Sequence, residues 1–273
     1  MLFRSAIAPQ NEAKTFWTGS SDGRVCQWDG VAREIDGQTP QNKVAGLAKG
    51  KHLAVVSWDD KLRLADAGTI VGIVATNGSP QGVAHAGDYI VVATHTGLSV
   101  YQQDKEVSNL ATGFSATSIA ATQGIVAVGG DDSALHIFTL AGGKLTKKES
   151  LSQASQVSTL SFSPDGRLAA GFANGKITVF NESWQPDITR WSSHTARITG
   201  IAWTRDGKFA ASSSLDCSVR VWSVAKPGSR IAAMGAHKES ATGVVWLDDG
   251  SKHKLVSTGA DGAVKVWEVD GLA

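Results

Sequence analysis

Short apolar runs alternate with polar turns along the whole chain, and one arrangement of them recurs seven times. The copies are SDGRVCQW, WDDKLRLA, HTGLSVY, DDSALHIF, ANGKITVF, LDCSVRVW and ADGAVKVW. Their last positions are Trp28, Ala65, Tyr101, Phe138, Phe180, Trp222 and Trp267, between 36 and 45 residues apart. A period of about 40 residues from end to end is typical of a chain built from units of four short strands.

Each copy predicts a β-hairpin. Six residues before the last position lies a residue suited to a tight turn, in most copies an aspartate whose carboxylate accepts backbone hydrogen bonds. These turn residues are Asp22, Asp59, His95, Asp132, Asn174, Asp216 and Asp261. A run of small and β-branched residues precedes each turn, and an alternating apolar run such as SVRVW follows it. Both kinds of run favour strands.

Seven such units with no gap between them predict an all-β fold, a seven-bladed β-propeller in which each unit supplies one blade. The range 1–273 then forms a single domain. The predicted blades are approximately 1–36, 37–73, 74–108, 109–147, 148–188, 189–231 and 232–273.

The last two repeats resemble those of the WD-repeat family, the WD40 propellers, in which Trp, Ser or Thr, His and Asp form a hydrogen-bonded set. The matching residues are His194, Ser212, Asp216 and Trp222 in the sixth repeat and His237, Ser257, Asp261 and Trp267 in the seventh. The resemblance implies that these side chains stabilise the fold. Repeats two to five depart from the set, for instance at Ala65 and Asn174, and we expect them to depend more on apolar packing.

The seventh blade is predicted to lack its outer strand. Residues 1–8 have the pattern of a first inner strand, while only residues 270–273 follow the last third strand. An open edge of this kind can pair with another chain, and proteins normally cover it. The hypothesis that follows is that the chain is the back part of a longer protein whose upstream sequence closes the ring.

The closing repeats are also similar to those of the actin-interacting protein 1 family. The shared features are Val221-Trp222-Ser223-Val224, Pro227, Ala236-His237 and Val266-Trp267-Glu268-Val269. That family has two propellers in tandem and works with cofilin to disassemble actin filaments. The resemblance implies a carboxy-terminal propeller with actin filaments, cofilin and an upstream propeller of the same polypeptide as partners. A general WD40 scaffold of another complex is the alternative.

Charge and composition exclude several partner classes. Lys and Arg total 26 against 25 Asp and Glu, so the broad positive field that attracts nucleic acid is not expected. The amino-terminal MLFRSAIAPQ lacks the apolar core of a signal peptide, and no segment has the roughly 20 apolar residues of a membrane span. Only Cys26 and Cys217 are present, which favours a reducing compartment. We therefore expect a cytoplasmic protein, at the actin cytoskeleton by resemblance, without nucleic-acid or membrane partners.

Catalytic chemistry is not indicated. The turn acids Asp22, Asp59 and Asp132 occupy the same place in their repeats as those of repeats six and seven, which favours a structural role. Gly19, Ser21 and Gly23 fit the hydrolase pattern G-x-S-x-G, but that chemistry needs a strand-to-helix turn and this segment joins two strands. The seven histidines show no metal-ligand spacing. We expect no enzyme activity and no cofactor, since a propeller enzyme would need a convergent acid, base or metal cluster at its channel.

Surface recognition is the remaining possibility. The residues just before the turn residues should lie on one rim of the disc: Ser21, Trp58, Thr94, Asp131, Ala173, Leu215 and Ala260. Large apolar side chains are unusual there, so Trp58 and Leu215 are candidate protein-binding residues. Lys43 and Arg197 in the loops between blades join them, because aromatic and arginine side chains dominate many interfaces. A surface Trp packed on its neighbours is the simpler interpretation of Trp58.

Overall fold

The fold follows from sheets that pair only with their neighbours in sequence. The computed structural model describes residues 4–9, 15–248 and 253–270. These residues form 27 β-strands and no helix. The strands make seven antiparallel sheets, six with four strands and the last, among the described residues, with three.

The first four sheets are regular meanders. Blade one comprises β1 (Arg4–Pro9), β2 (Phe16–Ser20), β3 (Val25–Trp28) and β4 (Ala32–Glu34). Blade two comprises β5 (Val44–Lys49), β6 (Leu53–Ser57), β7 (Lys61–Asp66) and β8 (Thr69–Ala75). Blade three comprises β9 (Pro80–Ala86), β10 (Tyr89–Thr94), β11 (Gly97–Gln102) and β12 (Lys105–Ala111). Blade four comprises β13 (Ala116–Thr122), β14 (Ile125–Gly130), β15 (Ala134–Ala141) and β16 (Lys144–Ser152).

The last three sheets follow the same order. Blade five comprises β17 (Val157–Phe162), β18 (Leu168–Phe172), β19 (Ile177–Phe180) and β20 (Pro186–Trp191). Blade six comprises β21 (Ile198–Trp203), β22 (Phe209–Ser214), β23 (Val219–Ser223) and β24 (Arg230–Ala233). Blade seven comprises β25 (Ala241–Asp248), β26 (His253–Gly259) and β27 (Val264–Glu268).

The innermost strands close a ring around a central channel. Each innermost strand contacts that of the next blade, and β1 contacts both β5 and β25. Small residues such as Gly46, Gly82, Gly200 and Gly243 line the channel, where an added Cβ would meet the neighbouring inner strand. The close approach of the inner strands therefore requires glycine at these positions.

Apolar clusters fill the spaces between neighbouring blades rather than a single centre. The second strands are almost entirely buried, while the outer strands β4 and β24 are largely exposed. The cluster between blades seven and one is the smallest among the described residues, with Phe16, Val245 and Val256 fully buried. Each of the other six contains at least seven buried residues. The inner strands of the described residues close the ring.

The predicted fold class is confirmed: the chain is an all-β, seven-bladed propeller with a three-stranded last sheet in the described part of the chain. The first predicted inner strand is β1, although residues 1–3 lie outside the described residues. In blades two to six the outer strands end two to five residues past the approximate blade limits, for example β8 at Ala75 rather than 73. No helix with the length and apolar character of a membrane span occurs in the described ranges.

Candidate functional site: one mouth of the channel

Two sets of loops meet at one mouth of the channel and form what we call the mouth rim. One set links the second and third strands of each blade, and the other leads into the innermost strand. In six blades a backbone N–H of the first set donates to a carbonyl of the second, over 2.8 to 3.3 Å. The pairs are Trp58 with Lys43, His95 with Ser79, Asp131 with Ser115, Ala173 with Gln156, Leu215 with Arg197 and Ala260 with Ser240. These bonds hold the loops together in pairs.

The four predicted binding residues are brought together as two such pairs. The Trp58 amide donates to the Lys43 carbonyl at 3.0 Å, and Lys43 Nζ lies 4.5 Å from the centre of the Trp58 ring. The Leu215 amide donates to the Arg197 carbonyl at 3.0 Å. Trp58 is 45% exposed and Leu215 is 43% exposed. Each pair therefore presents an apolar side chain beside a cation.

The rim surrounds an opening of about 610 Å³. Lys43, Arg197 and Leu215 line it, and Trp58 stands beside it through its contact with Lys43. The remaining lining residues are small, hydroxylated or aliphatic: Ser21, Thr117, Ser158, Ile198, Thr199, Ser240, Thr242 and Ala260. No carboxylate belongs to this lining, so the opening carries two cations and no anion of its own.

Neither cation has an ion-pair partner in the described part of the chain. Arg197 Nη2 donates to Gln156 Oε1 at 2.9 Å, which holds the guanidinium with an uncharged acceptor. Lys43 is held over the face of Trp58, where the ring quadrupole attracts the ammonium group. Both side chains are thus positioned without being neutralised.

A buried polar network includes Asp216, the residue that follows Leu215. Trp222 Nε1 donates to Ser212 Oγ at 2.8 Å, and Ser212 Oγ lies 2.8 Å from His194 Nε2. His194 Nδ1 lies 2.9 Å from Asp216 Oδ2. Because a carboxylate only accepts, Nδ1 carries the proton, and Nε2 of a neutral imidazole then accepts from Ser212. All four predicted side chains of the sixth repeat are therefore satisfied with His194 uncharged.

Burial and hydrogen bonding set the ionisation of this network. Burial lowers the pKa of the His194 imidazole, and the Asp216 carboxylate opposes only part of that effect. Burial by itself raises the pKa of Asp216, but hydrogen bonds from Ser218, the Thr195 amide and His194 bring it down to about 2. At neutral pH the pair is a neutral histidine beside a carboxylate.

Blade seven repeats the arrangement with the other predicted set. Trp267 Nε1 donates to Ser257 Oγ at 2.9 Å, and Ser257 Oγ lies 2.8 Å from His237 Nε2. His237 Nδ1 lies 3.1 Å from Asp261 Oδ1, and burial lowers the pKa of His237. The geometry suits a structural role, which stays a prediction until variants are tested.

Blades two and four pair their turn acids with a different side chain. In blade two the fully buried Arg63 donates to Asp59 from Nη1 at 3.0 Å and to Ser57 Oγ at 3.2 Å. Burial raises the pKa of Asp59, but the bonds from Arg63 and Ser57 lower it to about 2. In blade four His136 Nε2 lies 3.0 Å from Asp132 Oδ2. In both blades the partner comes from the third strand instead of the preceding loop.

Arg63 and His136 were not found by the sequence reasoning. Both stand two positions before the last residue of their repeat, where the other copies carry residues such as Cys26 and Ser99. Alternation along a strand leaves a polar residue at this position able to face either solvent or the interior. Four repeats nevertheless carry a basic residue four positions after the turn aspartate, at Arg63, His136, Arg220 and Lys265, and this recurrence was the available signal. The burial of the side chains is a tertiary effect of blade stacking.

Blade three corrects one predicted rim position. Thr94 is buried at the end of β10, and His95 makes the rim hydrogen bond to Ser79. The placement of Thr94 on the rim is therefore wrong. The turn between β10 and β11 is one residue shorter than that between β6 and β7. The residue seven positions before Tyr101, Thr94, therefore lies in the strand, and His95 takes the equivalent place on the rim.

Asp22 in blade one caps its own turn. Ser20 Oγ donates to the Asp22 carboxylate, and Arg24 Nε lies 3.2 Å from Asp22 Oδ2. Trp28 Nε1 donates to Thr18 Oγ1 at 2.9 Å in the same blade. Among the described residues no group of three or more His, Cys, Asp or Glu side chains has the arrangement of a metal site.

A second surface feature lies at the outer edge of the ring. A groove of about 130 Å³ runs between blade six and β27, lined by Val219, Val221, Ile231, Leu255, Trp267 and Val269 among others. Ile231, which lines the groove, is an exposed apolar residue. Among the described residues β27 is the last strand of its three-stranded sheet, and such an edge can pair with another strand.

Comparison with known proteins agrees with this architecture. The family "WD domain, G-beta repeat" matches residues 145–181, 185–223 and 228–268. Each matched segment begins at or near the outer strand of one blade and ends at the third strand of the next. The crystal structure of the computationally designed Ika8 protein superposes with a TM-score of 0.73, over 98% of this chain and 96% of that one, at 18% identity. At that identity the likeness shows the fold alone.

Curated relatives match nearly the whole chain. It is 34% identical to actin-interacting protein 1 of Drosophila melanogaster over 98% of this chain and 46% of that protein. It is 26% identical to actin-interacting protein 1 of Caenorhabditis elegans over 97% of this chain and 46% of the relative. It is 31% identical to WD repeat-containing protein 1 of Xenopus tropicalis over 93% of this chain and 44% of the relative. The chain thus spans about half the length of these relatives.

Proposed function

The chain belongs to the WD40-repeat family of β-propellers, and on that basis we propose that it is a docking domain which acts on actin filaments together with cofilin. The observation that carries this proposal is its similarity over almost its full length to proteins named actin-interacting protein 1. In this proposal the propeller has no catalytic role, and it promotes filament disassembly by holding proteins together at the cytoplasmic actin cytoskeleton.

The mouth rim is the surface that we propose for docking. Trp58 and Leu215 are two of the eight large apolar side chains that are exposed among the described residues, and both lie beside a cation at the same mouth. Exposed aromatic and aliphatic groups next to arginine or lysine are typical of the residues that dominate binding energy. The paired loops fix these side chains before binding, which reduces the entropy lost on association.

An upstream propeller of the same polypeptide is the second proposed partner. The relatives are about twice as long as this chain, and the edge of β27 together with its apolar groove can accept one more strand. A strand added there would complete the seventh sheet. In the longer protein, amides of β27 should then exchange more slowly with deuterium than in this chain alone; equal exchange would contradict the proposal.

Co-sedimentation with bare and with cofilin-coated actin filaments tests the proposed function. The chain should pellet with cofilin-coated filaments, and Trp58→Ala and Leu215→Ala should each weaken this binding while leaving the melting temperature unchanged. Val71→Ala and Val107→Ala are matched controls, because both remove exposed apolar side chains from outer strands away from the mouth rim. Absence of the wild-type chain from both pellets would reject the actin proposal and favour a WD40 scaffold of another complex.

A further inference from the structure

A buried cation meets an exposed thioether at the outer side of blade six. Met234 follows β24 and is 67% exposed, the highest value among the exposed large apolar residues of the described chain. Arg220 of the neighbouring β23 is only 6% exposed, and its Nη2 donates to Met234 Sδ at 3.4 Å. The sulfur is therefore open to small molecules from solvent on one side and in contact with a buried guanidinium on the other.

The guanidinium of Arg220 lacks a strong acceptor in this position. It forms no ion pair within the described ranges. Its Nε lies 3.4 Å from His194 Nδ1, but that nitrogen carries the proton directed at Asp216 and cannot accept. Burial lowers the pKa of Arg220, the Asp216 carboxylate opposes this effect, and Arg230 adds to it. Since a thioether sulfur is only a weak acceptor, the buried donor is poorly satisfied.

Blade two shows the same position with strong acceptors. Arg63, like Arg220, stands four residues after the turn aspartate of its repeat. Arg63 Nε donates to the Gln38 carbonyl at 2.8 Å, and its Nη1 donates to the Asp59 carboxylate at 3.0 Å. Both acceptors are oxygen atoms. In blade six a sulfur receives the Nη2 donor, so an oxygen atom added to that sulfur would supply the kind of acceptor that blade two already has.

We propose that Met234 is a reversible oxidation site whose sulfoxide is held by Arg220. A hydroperoxide such as hydrogen peroxide transfers one oxygen atom: a sulfur lone pair forms the S–O bond as the O–O bond breaks. The sulfur loses two electrons, and the departing hydroxide takes the proton of the transferred oxygen and leaves as water. The inference goes beyond the proposed function and does not depend on actin binding.

The sulfoxide should strengthen the structure at this place. Its oxygen accepts from the charged Nη2 donor, and hydrogen bonds to charged groups are shorter and stronger than neutral ones. Because Met234 is exposed, its side chain can shift outward to make room for the added oxygen. Oxidation should therefore fasten the segment 230–237 to β23, whereas a sulfoxide in an apolar core disrupts packing.

Hydrogen exchange before and after mild treatment with hydrogen peroxide tests the inference. Met1 is the only other methionine of the chain, so peptide mass spectrometry assigns each added oxygen to one residue. We expect the amides of β24 and of the following residues 234–237 to exchange about three- to tenfold more slowly once Met234 is oxidised. Methionine sulfoxide reductases should restore the original rate. The outer strand β20 of blade five is the internal reference and should not change; unchanged or faster exchange in β24 would overturn the inference.

Variants at Met234 separate its oxidation from other effects of peroxide. Met234→Leu keeps the size of the side chain and removes the sulfur, while Met1 and Cys217 remain open to oxidation, so peroxide should not slow exchange in β24 of this variant. Met234→Gln supplies an amide oxygen without any oxidant, and its β24 should exchange more slowly than that of Met234→Leu. Equal slowing by peroxide in Met234→Leu, or equal exchange in the two untreated variants, would contradict the inference.

Removal of the donor completes the test. In Arg220→Leu the slowing on oxidation of Met234 should disappear, because the sulfoxide then has no buried cation to accept from. Slowing that persists in this variant would show that Arg220 does not hold the sulfoxide. If Arg220→Leu does not fold, the comparison of Met234→Gln with Met234→Leu decides by itself.

Discussion

At the scale of single residues, Ser212 is the centre of the polar network in blade six. Its hydroxyl accepts from Trp222 and donates to His194, and the serine is fully buried. Ser212→Ala leaves two buried polar atoms without a partner, and each such atom costs about 1–3 kcal/mol. We expect the free energy of unfolding to fall by about 2–4 kcal/mol in urea titration.

The exposed Ser192 supplies the control for this variant. Ser192→Ala removes a hydroxyl of the same size from the surface and should change the free energy of unfolding by less than about 0.5 kcal/mol. A loss in Ser212→Ala no larger than that of the control would show that the network contributes little to stability.

The buried histidines predict how stability depends on pH. Burial lowers the pKa of His85, His136, His194 and His237. Below the ordinary histidine pKa of about 6.5 the unfolded chain therefore binds more protons than the folded chain, so stability is full above that pH and falls as the pH decreases. Asp59 and Asp216, with pKa values of about 2, add a further loss only below about pH 4.

The urea concentration at which half the protein is unfolded, measured between about pH 7.5 and pH 3, tests these two stages of stability loss. The first stage should become shallower in His194→Gln, which removes one of the titrating groups without adding charge. A midpoint that stays constant or rises on acidification from pH 7 to about pH 5 is inconsistent with buried neutral histidines.

At the scale of strands, three inner strands are fastened to the next blade by a hydroxyl. Thr117 Oγ1 donates to the Val157 carbonyl at 2.6 Å, Ser158 Oγ to the Ile198 carbonyl and Thr199 Oγ1 to the Ala241 carbonyl, both at 2.7 Å. Thr199→Val keeps the shape and removes the donor. We expect a loss of about 1–2 kcal/mol in the free energy of unfolding, because the Ala241 carbonyl and the Ser213 hydroxyl lose a partner.

Thr195→Val is the matched control, since the Thr195 side chain is exposed in the loop before β21. It should unfold at the urea concentration of the wild type. If both valine variants behave alike, the hydroxyls do not fasten the blades.

The strands also show where sequence reasoning is sufficient. The period of the repeat and its hairpin pattern were enough to predict the seven sheets, because each hairpin is local and carries its own turn residues.

The turn length of blade three was missed, since only the rim hydrogen bond of His95 reveals it. Trp58, Leu215, Lys43 and Arg197 could be proposed singly, but their pairing depends on two loops separated in sequence by about one hairpin. The burial of Arg63 depends on blade stacking, whereas its spacing of four residues from the turn acid Asp59 is visible in the sequence.

At the scale of the whole molecule, stability is shared among interfaces between blades instead of one core. Most interfaces bury at least seven apolar residues, and the inner-strand hydroxyls join blades four to seven in addition. The interface between blades seven and one has the smallest apolar cluster among the described residues. The third strand of blade seven, β27, is only partly buried, so the ring should open locally beside it.

Hydrogen exchange resolved by segment should reveal this local opening in the isolated chain. We expect the amides of β1 and β27 to exchange fastest among the inner and third strands, and those of β14 and β18 to be the most protected. The reason is that β27 is only partly buried, whereas β14 and β18 are almost fully buried between large clusters. Loss of protection that is uniform around the ring would instead mean that all seven blades unfold together, and the size of the apolar clusters would then not determine where the propeller opens.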